Sequence, residues 1–191
     1  MQKERTKEKN RAKRRVARSA KELTVLSVFV ALTIAAQLLF STIPGVEVVT
    51  VLFVSFCYAF GVSRGMIVST AFSLLRCLLF GFFPNVVILY LIYYNLLALT
   101  FGLLGRTKFV KNGVRFVIFV GVACFSTVAF TAIDNLVTPL FYGYAAGAWK
   151  AYAVASLSFL LPQTVCSAIT VSLLFYPLER AFALGRKIAR F

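Results

Sequence analysis

One permanent cation stands among residues that belong in oil: Arg76, within TAFSLLRCLLFGFFPN at positions 70–85. A guanidinium offers a planar fork of donors that suits carboxylates and phosphates. Ser69, Ser73 and Arg76 fall at i, i+4 and i+7, one polar stripe on one side of a helix. Thr127, Thr131 and Asp134 repeat that spacing, with Asn135 beside them, and Glu47 is a second carboxylate within reach of apolar sequence. Asn85, Tyr90, Tyr94, Asn95 and Gln163 add hydrogen-bonding groups at comparable depths, and Pro162 frees a backbone carbonyl next to Gln163. Two arrangements use these residues. In one, Asp134 or Glu47 neutralises Arg76 as a structural ion pair. In the other, Glu47, Arg76, Asn85, Tyr94, Asn95, Asp134, Asn135 and Gln163 line an outward-facing pocket for a small polar molecule, anionic where it meets the guanidinium.

Other chemistries find no residues. The chain has no histidine, and Cys57, Cys77, Cys124 and Cys166 stand singly inside apolar runs, as buried thiols that pack as small hydrophobes do. No metal site and no cofactor of the chain's own is expected. GLLGRTK from Gly102 lacks the spacing of a phosphate loop, and no nucleophile elbow or histidine triad is present. An enzyme is not expected. Glu47 and Asp134 leave one further reading open, a short proton relay in a proton-coupled small-molecule carrier.

The elements that hold these groups follow from composition. Apolar residues make up 60% of the 191 and charged residues 14%, with a mean hydropathy of +0.86. A soluble domain of this size cannot cover its surface with so few charges. The expected fold is an all-α integral membrane protein with six transmembrane helices, over about 23–40, 46–62, 65–83, 86–104, 114–136 and 151–176. The second is short, with Glu47 at its start. Residues 1–22 form a basic tail, 23–178 the membrane domain and 179–191 a second basic tail.

Ten of the 21 basic residues lie in the first 21 positions, beside a span, where they serve topology and lipid contact rather than nucleic acid. The apolar run that follows is too long for a cleaved signal peptide and has no A-x-A site after it. With the N-terminus inside, nineteen of the 21 basic residues fall on the inner side, leaving Lys150 outside and Arg76 in the membrane. Both termini are therefore expected in the cytoplasm of a plasma-membrane protein. Arg76 then lies about 18 Å up its helix from Arg64 and about 12 Å below Pro84. An arginine at that depth costs at least about 2.5–3.5 kcal/mol unless it faces protein or water. The outer connections are STIPGVE, GFFPN and TPLFYGYAAGAWK; in the last, Tyr142, Tyr144 and Trp149 suit interfacial anchoring or a lid.

On the first span Ser27, Ala31 and Ala35 recur at four-residue intervals, a flat side that allows close helix approach. Six spans in under 200 residues, a basic N-terminus, this small-residue face and the segments IPGVEVVTVL, FCYAFGVSRGM and FGFFPNVVILYLIYYNLLALTFGLLGR together resemble the substrate-binding S components of energy-coupling factor (ECF) transporters. The resemblance covers the chain from about Ala20 and carries no signature of a particular substrate subfamily. It implies capture of a vitamin-like micronutrient from outside. It also implies docking on a membrane T component through Ala31 and Ala35, and two cytoplasmic ATPase subunits that supply the ATP chemistry. Arg76 maps onto no common motif of that family. The runner-up is a structural scaffold of envelope assembly, similar in size to six-span rod-shape-determining proteins.

Overall fold

The computed structural model describes the backbone of residues 2–43, 48–106 and 112–189, and the side chains of 19–43, 48–106, 114 and 116–187. Every described element is helical: α1 (Gln2–Phe40), α2 (Val49–Phe60), α3 (Val62–Phe80), α4 (Pro84–Leu104), α5 (Asn112–Tyr142) and α6 (Ala146–Ala189). Five stretches are long and apolar enough to cross a membrane: Ser19–Phe40, Val62–Phe80, Pro84–Leu104, Phe116–Tyr142 and Ala146–Lys187. The chain is an all-α, membrane-embedded protein.

The second expected span takes a different form. Instead of residues 46–62, α2 has 12 residues, about 18 Å at 1.5 Å per residue against a hydrocarbon core of about 30 Å. Its sequence, VTVLFVSFCYAF, is apolar all round, and all of it but Tyr58 is buried. It packs against all five other helices, so it meets protein where the others meet lipid. A helix enclosed in this way has no need to match the bilayer's thickness. Phe53 and Phe56 are fully buried; Phe29 stacks on Phe56 at 4.0 Å, and Tyr94 lies 4.7 Å from Phe53.

Cross-helix contacts fix the direction of each element. At one end Arg64 of α3 pairs with Glu22 of α1 at 2.6 Å, and Arg186 of α6 donates to the Ala59 carbonyl of α2 at 2.8 Å. Gly61 joins α2 to α3 there at φ 84°, a left-handed conformation that only glycine adopts readily. The end of α4 reaches the same level: a Cβ on Gly102 would lie 2.6 Å from the Val62 nitrogen, and one on Gly105 would lie 2.5 Å from the Tyr58 oxygen. At the opposite end lie the end of α1, the start of α2, the ends of α3 and α5, and the starts of α4 and α6. Neighbours in sequence thus run in alternating directions.

The boundaries drawn at 22/23 and 178/179 fall inside continuous helix, since α1 and α6 extend through both basic segments. The expected outer connection at 138–150 is mostly helix too. Only Gly143, at φ 64°, and its two successors separate α5 from α6. Pro139, within α5, cannot supply the amide that the Asn135 carbonyl needs. Trp149 supplies it instead, its indole N–H donating to that oxygen at 2.8 Å.

Candidate functional site

At the end away from Glu22 and Arg64, a cavity of about 400 Å³ opens between α1, α2, α3, α4 and α6. That volume lies within the range of small-molecule sites. The cavity exists because α2 begins late: Val48 and Val49 form its floor, where a longer central helix would have filled the space. Phe40, Phe80, Tyr90, Tyr94 and Phe159 give it aromatic walls, and Gln37, Arg76 and Gln163 are its long polar side chains.

Among the described residues, Arg76 meets ring faces and no counter-ion. Its guanidinium carbon lies 4.1 Å from the Tyr90 ring centroid and 5.2 Å from that of Phe80, both within cation–π range. Its Nε is buried with no hydrogen-bond partner. The Gln37 amide donates to the Tyr90 hydroxyl at 3.4 Å, while its Oε1 is likewise buried and unpartnered. One orphaned donor and one orphaned acceptor therefore border the same cavity. Groups of this kind cost about 1–3 kcal/mol each when left unmade, and native proteins keep few of them.

Asp134 is not the partner of Arg76. Its Oδ1 accepts from the Thr138 hydroxyl and its Oδ2 from the Tyr152 hydroxyl, each at 2.7 Å. Asp134 forms no ion pair among the described residues. It borders a second cavity of about 250 Å³ between α5 and α6, with Phe130, Thr131, Tyr152 and Ser156. Phe159 and Gln163 line both cavities.

The remaining candidates disperse. Asn85 is buried among hydroxyls, donating to Thr138 at 3.2 Å and accepting from Tyr142 at 3.3 Å. Asn135 donates to Ser156 at 2.8 Å. These two tie α4, α5 and α6 together and border neither cavity. Asn95 clasps α3 to α4: it accepts from the Ser69 hydroxyl at 2.8 Å and donates to the Leu91 carbonyl at 2.8 Å. Ser73 donates to the Ser69 carbonyl and Thr127 to that of Ala123, so most of the two polar stripes are satisfied by their own helices. Glu47 lies outside the described residues. Of the eight pocket candidates, Arg76, Tyr94 and Gln163 thus meet at the larger cavity, and Asp134 lies on the smaller one.

Sequence reasoning overlooked Gln37 and Phe159. Gln37 carries a signal, as the one amide in the apolar run from Leu23 to Phe40. Phe159 carries none, being one of 20 phenylalanines. Ser27, Ala31 and Ala35 are exposed and border an apolar groove of about 440 Å³ between α1 and α3, where Ile67, Ala71 and Leu75 form the facing side.

The fold and the Arg76 cavity define a class: a helical membrane protein with a cavity of about 400 Å³ bordered by an arginine. Comparison with known protein families, with curated proteins and with solved structures found no match for this chain.

Proposed function

We propose that this protein is the substrate-capture subunit of an ECF-type importer, binding a small polar molecule through an anionic group. The observation that carries the reading is the pair of orphaned polar atoms, Arg76 Nε and Gln37 Oε1, on one aromatic-walled cavity of about 400 Å³. A carboxylate or phosphate satisfies the guanidinium, a ligand donor satisfies the Gln37 oxygen, and the rings of Phe80, Tyr90 and Tyr94 cover an apolar or conjugated body.

The bundle sits in the plasma membrane with both termini cytoplasmic and α2 as a sixth, enclosed crossing element. The excess of basic residues at the tails and at Arg64 and Arg106 supports that orientation. The cavity then faces outward, where a nutrient arrives. Transport relies on a membrane T component, met through Ser27, Ala31 and Ala35, and on two cytoplasmic ATPases. The sequence resemblance supports this division of labour, as does the lack of a phosphate loop in the chain.

Native mass spectrometry of the wild type and of Arg76→Ala, extracted gently from the same membranes, tests the reading. A small-molecule adduct on the wild type that is missing from the variant is the expected result. An adduct held equally by both removes Arg76 from the site. Uptake driven by a pH gradient in vesicles that contain this subunit alone replaces the importer with the proton-coupled carrier.

A further inference from the structure

Arg76 and Asp134, residues of opposite charge type, border two neighbouring cavities. Arg76 heads the larger cavity with its Nε unpartnered, and Asp134 borders the smaller one with only neutral hydroxyls on its oxygens. Neither takes part in an ion pair among the described residues. Their cavities share two lining residues, Phe159 and Gln163.

Neutral donors orient a carboxylate without cancelling its charge, and within a membrane that charge selects for a cationic partner. The surroundings of Asp134 suit an organic ammonium group. Phe130, Tyr152 and Phe159 offer aromatic surface, where a cation is stabilised by ring faces, and the Thr131 and Ser156 hydroxyls border the same space.

We propose that the two cavities form one bipartite site for a zwitterion. The anionic group of the ligand meets Arg76, its cationic amine meets Asp134, and its middle passes Phe159 and Gln163, which line both cavities. This inference rests on the Arg76 cavity being a binding site and adds the charge pattern of the substrate. Phe159 is then the side chain that must turn for both halves to be filled at once. A ligand with an anion alone fills only the larger cavity.

The test uses the full chain in nanodiscs and two series of probes, the straight-chain ω-amino acids from aminobutanoate to aminooctanoate and the alkanoates of matching length. A series is needed because the ligand must span both cavities. Binding is read by thermal stabilisation over a concentration range. At the best length the amino acid is expected to bind roughly tenfold to a hundredfold more tightly than its alkanoate, the range of one charge-assisted contact. Asp134→Asn is expected to bring the amino acid down to the alkanoate's level, and Arg76→Gln to weaken both about tenfold to a hundredfold.

Alkanoates that equal the amino acids at every length in the wild type overturn the zwitterion and leave the Arg76 site standing. Alkanoates that stabilise Arg76→Gln as well as the wild type, or no stabilisation by either series, overturn the Arg76 site and the zwitterion with it. The wild-type comparison decides the matter alone should Asp134→Asn fail to fold.

Discussion

Replacing Arg76 by Gln separates a binding arginine from a structural one, because the two predict opposite balances of stability and affinity. In the ligand-free protein the substitution removes the contacts with the rings of Tyr90 and Phe80, at 4.1 and 5.2 Å, worth about 0.5–2 kcal/mol for a partly desolvated cation. The Gln amide places another polar atom where the buried, unpartnered Nε stood, so nothing is relieved there. The unliganded protein should lose about 0.5–2 kcal/mol. Binding of an anionic ligand loses a charge-assisted hydrogen bond of about 1.5–3 kcal/mol, a drop of about tenfold to a hundredfold in affinity.

A structural ion pair behaves otherwise. Removing one partner strands the other charge and costs about 3–5 kcal/mol of stability. Reversible unfolding of the unliganded protein in mixed micelles measures the first quantity, and titration with a short alkanoate followed by thermal stabilisation measures the second. Destabilisation of about 3 kcal/mol or more with alkanoate affinity intact would refute the reasoning. Recovery of stability in the double variant Arg76→Gln/Glu47→Gln would then identify Glu47 as the partner.

Three further outcomes are expected. Trp149→Phe leaves the Asn135 carbonyl without its donor and should cost about 1–3 kcal/mol in the same unfolding assay. Adding Pro139→Ala restores an amide that can reach that carbonyl and should recover most of the loss; an unaffected single variant would show the indole bond to be idle. Gly102→Ala places a Cβ 2.6 Å from the Val62 nitrogen and 2.7 Å from its Cα, an overpacking that should cost about 1–3 kcal/mol. Unchanged unfolding would mean that α4 does not press on the α2–α3 elbow. Ala31→Trp and Ala35→Trp should abolish co-purification with a T component while retaining alkanoate binding; complexes that form normally would free this face from docking.

Much of the fold is legible because helices in a membrane must be long and apolar, and hydropathy reads both properties. What hydropathy cannot read is which apolar residues meet lipid and which meet protein. Phe53 on α2 is fully buried and Leu78 on α3 is 76% exposed, yet both count as hydrophobic. The enclosed role of α2 was hidden for that reason. Polar spacing misled in a related way. Ser73 and Thr127 bond to the carbonyls one turn back in their own helices, so a stripe at i and i+4 need not face anything polar. Asn95 looked like a pocket residue but is used up between α3 and α4 by Ser69 and Leu91. Arg76 was legible because its five N–H donors cannot be satisfied by one helical turn.

The short helix and the half-buried arginine are two aspects of one device. α2 ends level with the Glu22–Arg64 pair, since Arg64 also donates to the Phe60 carbonyl at 3.4 Å, so its whole shortfall lies at the other end. It has 12 residues against 19 in α3, which leaves about 10 Å of the bundle with no central helix. Arg76 sits at that level, beside Val48 and Val49. In a bundle with a full-length, apolar central helix the guanidinium would be pressed against hydrocarbon, and the cost of burying it would have no remedy. Here the missing turns leave a space into which it points, and the rings of Tyr90 and Phe80 hold it there without neutralising it. Truncation of the core helix thus makes the cavity, and the cavity makes the arginine tolerable. A variant that fills the floor, Val49→Phe, should therefore weaken alkanoate binding as much as Arg76→Gln while leaving the cation in place. Retained binding in that variant would separate the cavity from the charge and break the link between them.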